Sequence, residues 1–496
     1  MKNTTTNSQA PRRVHFIGIC GVLGSAIAAA LWQKGWKVTG SDSGFYPPVS
    51  TNLTKLGIPY YPGFHPEKMV APENGGAPDL VIVGFAISSK NPELLYAQER
   101  KIQIMSFAEA AGEFLVKHAP AGHSIVVTGT YGKTTSAALL AHILKHAGLK
   151  PSYMIGGVTQ DGSPSAAIGE GDWSVVEGDE YVSAKWDPRP KFAHYRPTHL
   201  LMTAVKWDHA DVYPTEQSYF DAFRALIAAV PPAKPDGAGG LVLACIDTET
   251  LPRLLAESKR EFISYGKRKD AAYRYENVVE SREGVGFDIV CHGKAYHIQS
   301  RLLGAYNAEN VTGCFALARE IGIAPGDIAD AIASFPGMKR RLEKRYEHAV
   351  TVIDDIAHSA EKAKSVLANI RSVYSGLIVA VYEPNTGNRT PQSKPGYKDA
   401  FRAADTVVIP RLTKLKQPTT DNGRRTTEDR QPATIEGDEL AQTIAESHND
   451  VRYIDDDEKL VEFLTYGRSQ GDVIAFLGSH GFRGMIEETI KKLAGA

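Results

Sequence analysis

One run, 127-VTGTYGKTTSAALLAHIL-144, constrains the fold more than any other part of the chain. A β-rich segment that starts at Ser124 stops at Gly129, a tight turn carries Thr130 and Tyr131, and Gly132-Lys133-Thr134-Thr135 opens an amphipathic helix. Glycines let backbone N–H groups close around an anion, and the helix N-terminus adds partial positive charge. In such a turn Lys133 is placed to reach the β- and γ-phosphates of a nucleotide, and the Thr134 hydroxyl to ligate Mg²⁺. The G-x-x-G-K spacing from Gly129 is shorter than G-x-x-x-x-G-K-[ST], but strand, turn, Lys-Thr and helix follow in the right order.

The flanking pattern predicts an α/β chain of three domains. The 496 residues suggest that number at ~150 per domain. In the opening third, VHFIGI (14–19), WKVTGSD (36–42), DLVIVGF (79–85) and IQIMSF (102–107) are short strands separated by helical segments, the mark of a doubly wound parallel sheet. A second α/β unit runs from SIVVTGT (124–130) through WSVVEGD (173–179), HLLMTA (199–204) and a helix over 216–230. Alternation over 273–303 predicts a small antiparallel appendage before the helix NAENVTGCFALARE. TVIDDIAH, LIVAVYEP, TVVIP and DVIAFLGS are strands of a third unit, which gives domains 1–121, 122–338 and 339–496. The polar stretch 413–432 is expected as a surface loop and the first thirteen residues as a disordered lead-in.

Composition narrows the function classes. Lys+Arg (56) and Asp+Glu (57) leave a formal charge of −1, with no basic tract for nucleic acid or an anionic membrane surface. No apolar stretch approaches the ~20 residues of a membrane span, and the N-terminus lacks the apolar core of a secretory signal. The four cysteines form no CxxC pair, so neither a disulfide framework nor a zinc site is expected. These readings favour a cytoplasmic enzyme that partners neither nucleic acid nor membrane, as a monomer or weak dimer.

A Mg²⁺-nucleotide site needs hard oxygen ligands, and 175-VVEGDEY-181 ends an apolar strand in Glu177, Asp179 and Glu180. In 207-WDHADVY-213, after HLLMTA, His209 is a candidate for completing a metal site. Near the N-terminus, 18-GICGVLG-24 places Gly18, Gly21 and Gly24 between strand and helix, and Asp42 ends the second strand. That arrangement suits the pyrophosphate of NAD(P), that of a UDP-sugar, or a packing turn alone, and local residues do not separate the three.

In order along the chain, GTYGKTT, VVEGDEY, KWDHADVY, AYNAEN (305–310), GMKRRLE (337–343) and DDIAH (354–358) resemble the signatures of the Mur ligases, ATP-dependent amide-forming enzymes of peptidoglycan synthesis. The resemblance implies a Rossmann-like UDP-sugar-binding domain, a central P-loop ATPase-like domain and a C-terminal Rossmann-like domain for the amine substrate. It implies ATP contacts from Gly129, Thr130, Gly132, Lys133, Thr134 and Thr135, adenine-side contacts from Asn307 and Asn310, terminal-phosphate contact from Arg341 and ribose contact from Asp355. Mg²⁺ is implied at Thr134, Glu177 and His209, and the catalytic set is then Lys133, Glu177, His209 and Arg341. Gly18, Gly21, Gly24 and Asp42 would hold the UDP moiety with Ala86, Ile87 and Asn91, and Gly337 would serve as a hinge.

Within the family, SDSGFYPPVST (41–51), EYVSAKWDPRPKFAHYRP (180–197) and YEPNTGNRT (382–390) are most similar to the muropeptide-ligase branch. That branch joins UDP-N-acetylmuramate to the tripeptide L-alanyl-γ-D-glutamyl-meso-diaminopimelate. The branch that adds L-alanine to the same sugar nucleotide is the alternative; Lys414, Lys416, Arg424 and Arg425 in the 413–432 loop are candidate contacts for the larger acceptor. Several positions depart from the family pattern: Tyr131 and Tyr306 where histidines are usual, Ala204 and Lys206 in place of Asn-x-Glu, and Ser359 in place of a second histidine. Val182 also stands where an aspartate is usual. Lys206 exchanges a carboxylate for a cation beside the metal site, so a catalytically decayed nucleotide-binding regulator is the alternative of another class.

Overall fold

The computed structural model describes residues 12–45, 49–72, 75–118, 122–207, 212–232, 239–413 and 434–495. Residues 1–11 of the expected lead-in, the 413–432 loop beyond Thr413, and His209 lie outside them, while Arg13, placed in the lead-in, already belongs to the first strand.

Three large sheets carry the chain. The first is all-parallel, in the order Tyr60–Pro62, Lys37–Asp42, Arg13–Ile17, Leu80–Val83, Gln103–Ser106. Its central strands are largely buried, as helices on either side require. Two of its helices begin on side-chain caps: Asn91 caps Pro92–Glu99 through its Oδ1, and Ser106 with Glu109 forms a capping box on Phe107–Phe114.

The second sheet has ten strands, and its parallel centre is built from His123–Thr128, Trp173–Gly178, His199–Met202, Leu241–Cys245 and Ile263–Gly266. The appendage predicted over 273–303 is real, but it is not separate. Its strands Tyr273–Ser281, Gly284–Cys291 and Lys294–Ser300 extend this same sheet, because Tyr265 and Gly266 pair with Tyr273 and Arg274. Two-residue connections at Arg282-Glu283 and His292-Gly293 make the three strands consecutive hairpins.

The third sheet runs Glu343–Glu347, Thr351–Asp355, Val473–Gly478, Ile378–Glu383, Thr406–Pro410, Val451–Ile454, with only the first strand antiparallel. Side chains alternate between its two faces. Ile353, Ala380 and Ala475 enter one core, while Val352, Val379, Val381 and Ile474 enter the other.

The chain divides into two compact units. One holds residues 1–277, 287–299 and 308–336; the other holds 278–286, 300–307 and 337–496. The division at Gly337 coincides with a left-handed φ of +84°. Within the first unit, helix Phe107–Phe114 packs so closely on the turn Lys191–His194 that a Cβ on Gly112 would lie 2.4 Å from the His194 carbonyl oxygen. Among the described residues no helix is long and apolar enough to cross a membrane.

Candidate functional site

The glycine turn over 129–132 sits where an open parallel sheet places ligands, beyond the carboxyl ends of its strands. Gly129 (φ +134°) and Gly132 (φ +79°) occupy conformations that L side chains rarely adopt. Space is closed to them as well: a Cβ at Gly129 would lie 2.2 Å from Thr203 Oγ1, and one at Gly132 would lie 2.2 Å from Asn310 Oδ1. Thr130 is tied to the neighbouring strand end, its N–H donating to Ala204 O (2.7 Å) and its hydroxyl to Lys206 O (2.7 Å). Thr203, which sequence reasoning passed over, donates to the carbonyls of Thr128 and Tyr131 and so braces the turn from behind.

Lys133 starts helix Lys133–His146. Its ammonium donates to Gly129 O and pairs with Glu180 Oε2 at 3.0 Å, a carboxylate only 1% exposed. One residue on, Thr134 Oγ1 donates to Glu177 Oε1 at 2.9 Å, and Glu177 Oε2 accepts the Gly156 N–H at 2.7 Å. Burial raises the Glu177 pKa, against those two hydrogen bonds and the charge of Lys133. Burial also opposes the charge on Asp179, but Lys191, with Nζ 2.6 Å from Oδ2, outweighs it and the pKa is lowered.

These donors fit Mg²⁺. The ion takes oxygen ligands at ~2.1 Å in an octahedron, so two neighbouring ligands stand about 3.0 Å apart. The Thr134 hydroxyl and Glu177 carboxylate already hold that separation. Lys206, the suspected intruder, brackets Thr130 through its backbone, donating its N–H to Thr130 Oγ1 (2.8 Å), while its side chain is exposed.

In the first sheet, Gly18 (φ +90°) lies against Ile87, and a Cβ on Gly24 would lie 2.5 Å from the Phe107 ring. Gly21 is the N-cap of helix Val22–Gln33. The loop hangs from the second strand: Gly18 and Ile19 donate to Ser41 O, and Cys20 N–H donates to Asp42 Oδ2 at 2.8 Å. Asp42 Oδ1 also accepts Ser43 N–H, so both of its oxygens organise the turn itself. Ala86 and Ile87 follow the fourth strand, with Ile87 N–H donating to Gly84 O. Asn91 caps the next helix.

Beneath this loop lies a residue with no sequence signal, the fully buried Glu93. It accepts hydrogen bonds from Ser41 Oγ (2.5 Å), Tyr61 OH (2.6 Å) and His65 N (2.8 Å), and faces His15 Nε2 at 3.5 Å. A charged residue in a helical run reads as solvent-facing, which is why patterning alone misses it.

In the C-terminal unit, Arg341 is exposed while Arg340 is engaged, donating to the carbonyls of Gly478, Ser479 and His480 and pairing with Asp354. Asp355 accepts N–H groups from Leu342 (2.7 Å) and Ala357 (2.8 Å). Burial lifts its pKa to about 6, opposed by those N–H groups and by Arg341. Asn307, at the start of helix Asn307–Glu320, donates to Leu303 O, and the exposed Tyr306 precedes it. Ser359, at the departing histidine position, caps helix Ala360–Val373.

Comparison with known proteins yields three family-model matches. They are the Mur ligase family catalytic domain over residues 13–118, the Mur ligase middle domain over 175–318, and the Mur ligase glutamate ligase domain over 340–480. The chain is 34% identical over 381 residues to the UDP-N-acetylmuramate–L-alanyl-γ-D-glutamyl-meso-2,6-diaminoheptandioate ligase of Escherichia coli, covering 75% of this chain and 79% of that one. It is 32% identical over 402 residues to a UDP-N-acetylmuramate–L-alanine ligase of Anaeromyxobacter, covering 80% and 82%. Among solved structures, a UDP-N-acetylmuramate–alanine ligase of Thermotoga maritima superposes with a TM-score of 0.77 at 23% identity, over 97% of this chain and 99% of that one. A murein peptide ligase of Psychrobacter arcticus gives 0.66 at 23% identity, over 98% and 99%.

Proposed function

The chain belongs to the Mur ligase family, as an ATP-dependent amide-forming ligase, and from that premise we propose that its substrates are UDP-N-acetylmuramate and L-alanyl-γ-D-glutamyl-meso-diaminopimelate. The observation that carries the ATP chemistry is the arrangement Lys133, Thr134 and Glu177 behind a turn whose glycines admit no side chain. The tripeptide as acceptor is supported by the stretches 180–197 and 382–390 and by the similarity to the Escherichia coli enzyme. The similarity to the Anaeromyxobacter protein supports the second reading, L-alanine as acceptor.

A free carboxylate and an amine form an amide poorly, because oxide would have to leave. In the proposed reaction the lactyl carboxylate attacks the γ-phosphorus of ATP, giving an acyl phosphate and ADP. The acceptor amine then adds to the acyl carbon, and phosphate departs. Thr134 and Glu177 would hold Mg²⁺, with His209 as a further ligand; bound there, the ion neutralises charge on the phosphates. Lys133 exchanges its contact with Gly129 O for a phosphate oxygen, while Glu180 keeps its charge aimed at the turn. Backbone N–H groups of 130–135, aligned by the helix start, hold the phosphates in register. Gly18, Gly21, Gly24, Asp42, Ala86, Ile87 and Asn91 are assigned to the UDP moiety. Asn307 and Asn310 are assigned to adenine, Arg341 to the terminal phosphate and Asp355 to ribose.

Phosphate release from ATP with UDP-N-acetylmuramate, comparing the tripeptide with L-alanine, tests this. Faster release with the tripeptide is expected. Faster release with L-alanine selects the second reading, and release with neither returns the chain to a nucleotide-binding regulator.

A further inference from the structure

A cavity of about 330 Å³ opens between the start of helix Val22–Gln33 and the carboxylates of the central sheet. Val22, Gly156, Glu177, Asp179, Lys191 and Tyr195 are on its wall. Lys191 and Tyr195 lie in the 180–197 stretch, but neither has been given a role in the site described above.

Tyr195 is fully buried, and its hydroxyl has no hydrogen-bond partner. A buried hydroxyl left so costs about 1–3 kcal/mol, so a fold that keeps one there has a use for the donor or retains it for something that enters. Burial, with Asp179 and then Glu177 close by, raises the phenol pKa and keeps the O–H protonated. Lys191 Nζ gives one N–H to Asp179 at 2.6 Å, and an ammonium has three. The short turn Lys191–His194 holds both side chains: Lys191 N–H donates to Tyr181 O (2.9 Å), Phe192 N–H to Asp179 O (3.3 Å), and Tyr195 N–H to Phe192 O (3.1 Å). The cavity therefore offers a cation and a neutral O–H donor beside the proposed metal ligand Glu177, which is chemistry suited to a carboxylate.

We propose that Lys191 and Tyr195 form the subsite for the sugar-borne carboxylate, selecting an acid-bearing UDP-sugar and presenting its oxygen to the nucleotide turn. This rests on the ligase reading. Asp179 and Glu177 alone would repel such an anion; Lys191 offsets the first, and Mg²⁺, if held by Glu177, would offset the second.

The test compares equilibrium binding of UDP-N-acetylmuramate with that of UDP-N-acetylglucosamine, which lacks the lactyl group, in Mg²⁺ buffer without ATP. Wild type should prefer the acid by about tenfold or more, as a charge-assisted contact predicts. Lys191→Met should reduce that preference to less than about threefold by weakening the acid alone. Tyr195→Phe should also weaken only the acid while its melting temperature stays level or rises, since the hydroxyl removed has no partner in the fold. A purely structural tyrosine would not separate stability from ligand choice in this way. Variants that keep the wild-type preference, or weaken both sugar nucleotides alike, overturn the subsite and leave the ligase reading standing. A wild type that binds neither sugar nucleotide overturns both.

Discussion

Thr134 Oγ1 and Glu177 Oε1 meet at 2.9 Å, joining the first turn of one helix to the end of a strand 43 residues away. Gly156 N–H fixes the other carboxylate oxygen, so the pair is held before any ion arrives. Glu177→Gln retains one oxygen for that N–H and removes the charge. The half-saturating Mg²⁺ concentration for turnover should rise about tenfold or more. An unaltered Mg²⁺ titration would take Glu177 out of the metal site.

Lys133 has two separable duties. Lys133→Ala should lower turnover by about a thousandfold or more, because a charge aimed at the transferring phosphoryl group is lost. It also removes the cation paired with the buried Glu180, a change that costs on the order of 3–5 kcal/mol. The double variant Lys133→Ala/Glu180→Gln should recover thermal stability without recovering turnover. Recovery of both, or of neither, contradicts this division.

Two adjacent arginines should give opposite phenotypes. Arg340→Ala removes donors to three consecutive carbonyls and one of the two arginines paired with the buried Asp354, and should lower stability by about 2–4 kcal/mol. Arg341→Ala, at an exposed side chain, should leave the melting temperature within about a degree, since surface substitutions usually stay within ±0.5 kcal/mol. Turnover should nevertheless fall sharply. Calorimetry beside a phosphate-release assay reads both.

Glu309 faces Asp247 and Cys245, and burial followed by the Asp247 charge lifts its pKa to about 7. An unfolded glutamate ionises near ~4.3. Between those values the folded chain binds the extra proton, so the contribution of Glu309 to stability is full below about 4 and is lost as pH rises towards 7. Asp355, lifted to about 6, acts in the same direction. Wild type should therefore melt lower at pH 8 than at pH 5. Glu309→Gln should remove about 1–3 kcal/mol of that loss. An equal pH dependence in the variant would show that Glu309 does not titrate in this window.

Much of the fold was legible because period and punctuation carry it. Apolar runs that stop at Gly18, Gly129 and Asp355 are strands, and the helices after Gly132 and Tyr306 follow from their openings. The strands Glu343–Glu347 and Val451–Ile454 were not, because edge strands with charged faces lack a clean alternation. Nor was the attachment of the 273–303 hairpins to the central sheet, which depends on the register of Tyr265 against Tyr273.

The residues alone determined the glycine turn with Lys133 and Thr134, the strand that ends at Glu177, and the order of three α/β units, since each is encoded within a few consecutive positions. Only the tertiary structure decided that Asp42 and Asn91 spend their oxygens on backbone N–H groups, that Arg340 is bound where Arg341 is exposed, and that Lys191 and Tyr195 share a cavity wall with Glu177. Partnership and burial depend on which distant segments are brought together, and no spacing along the chain specifies that.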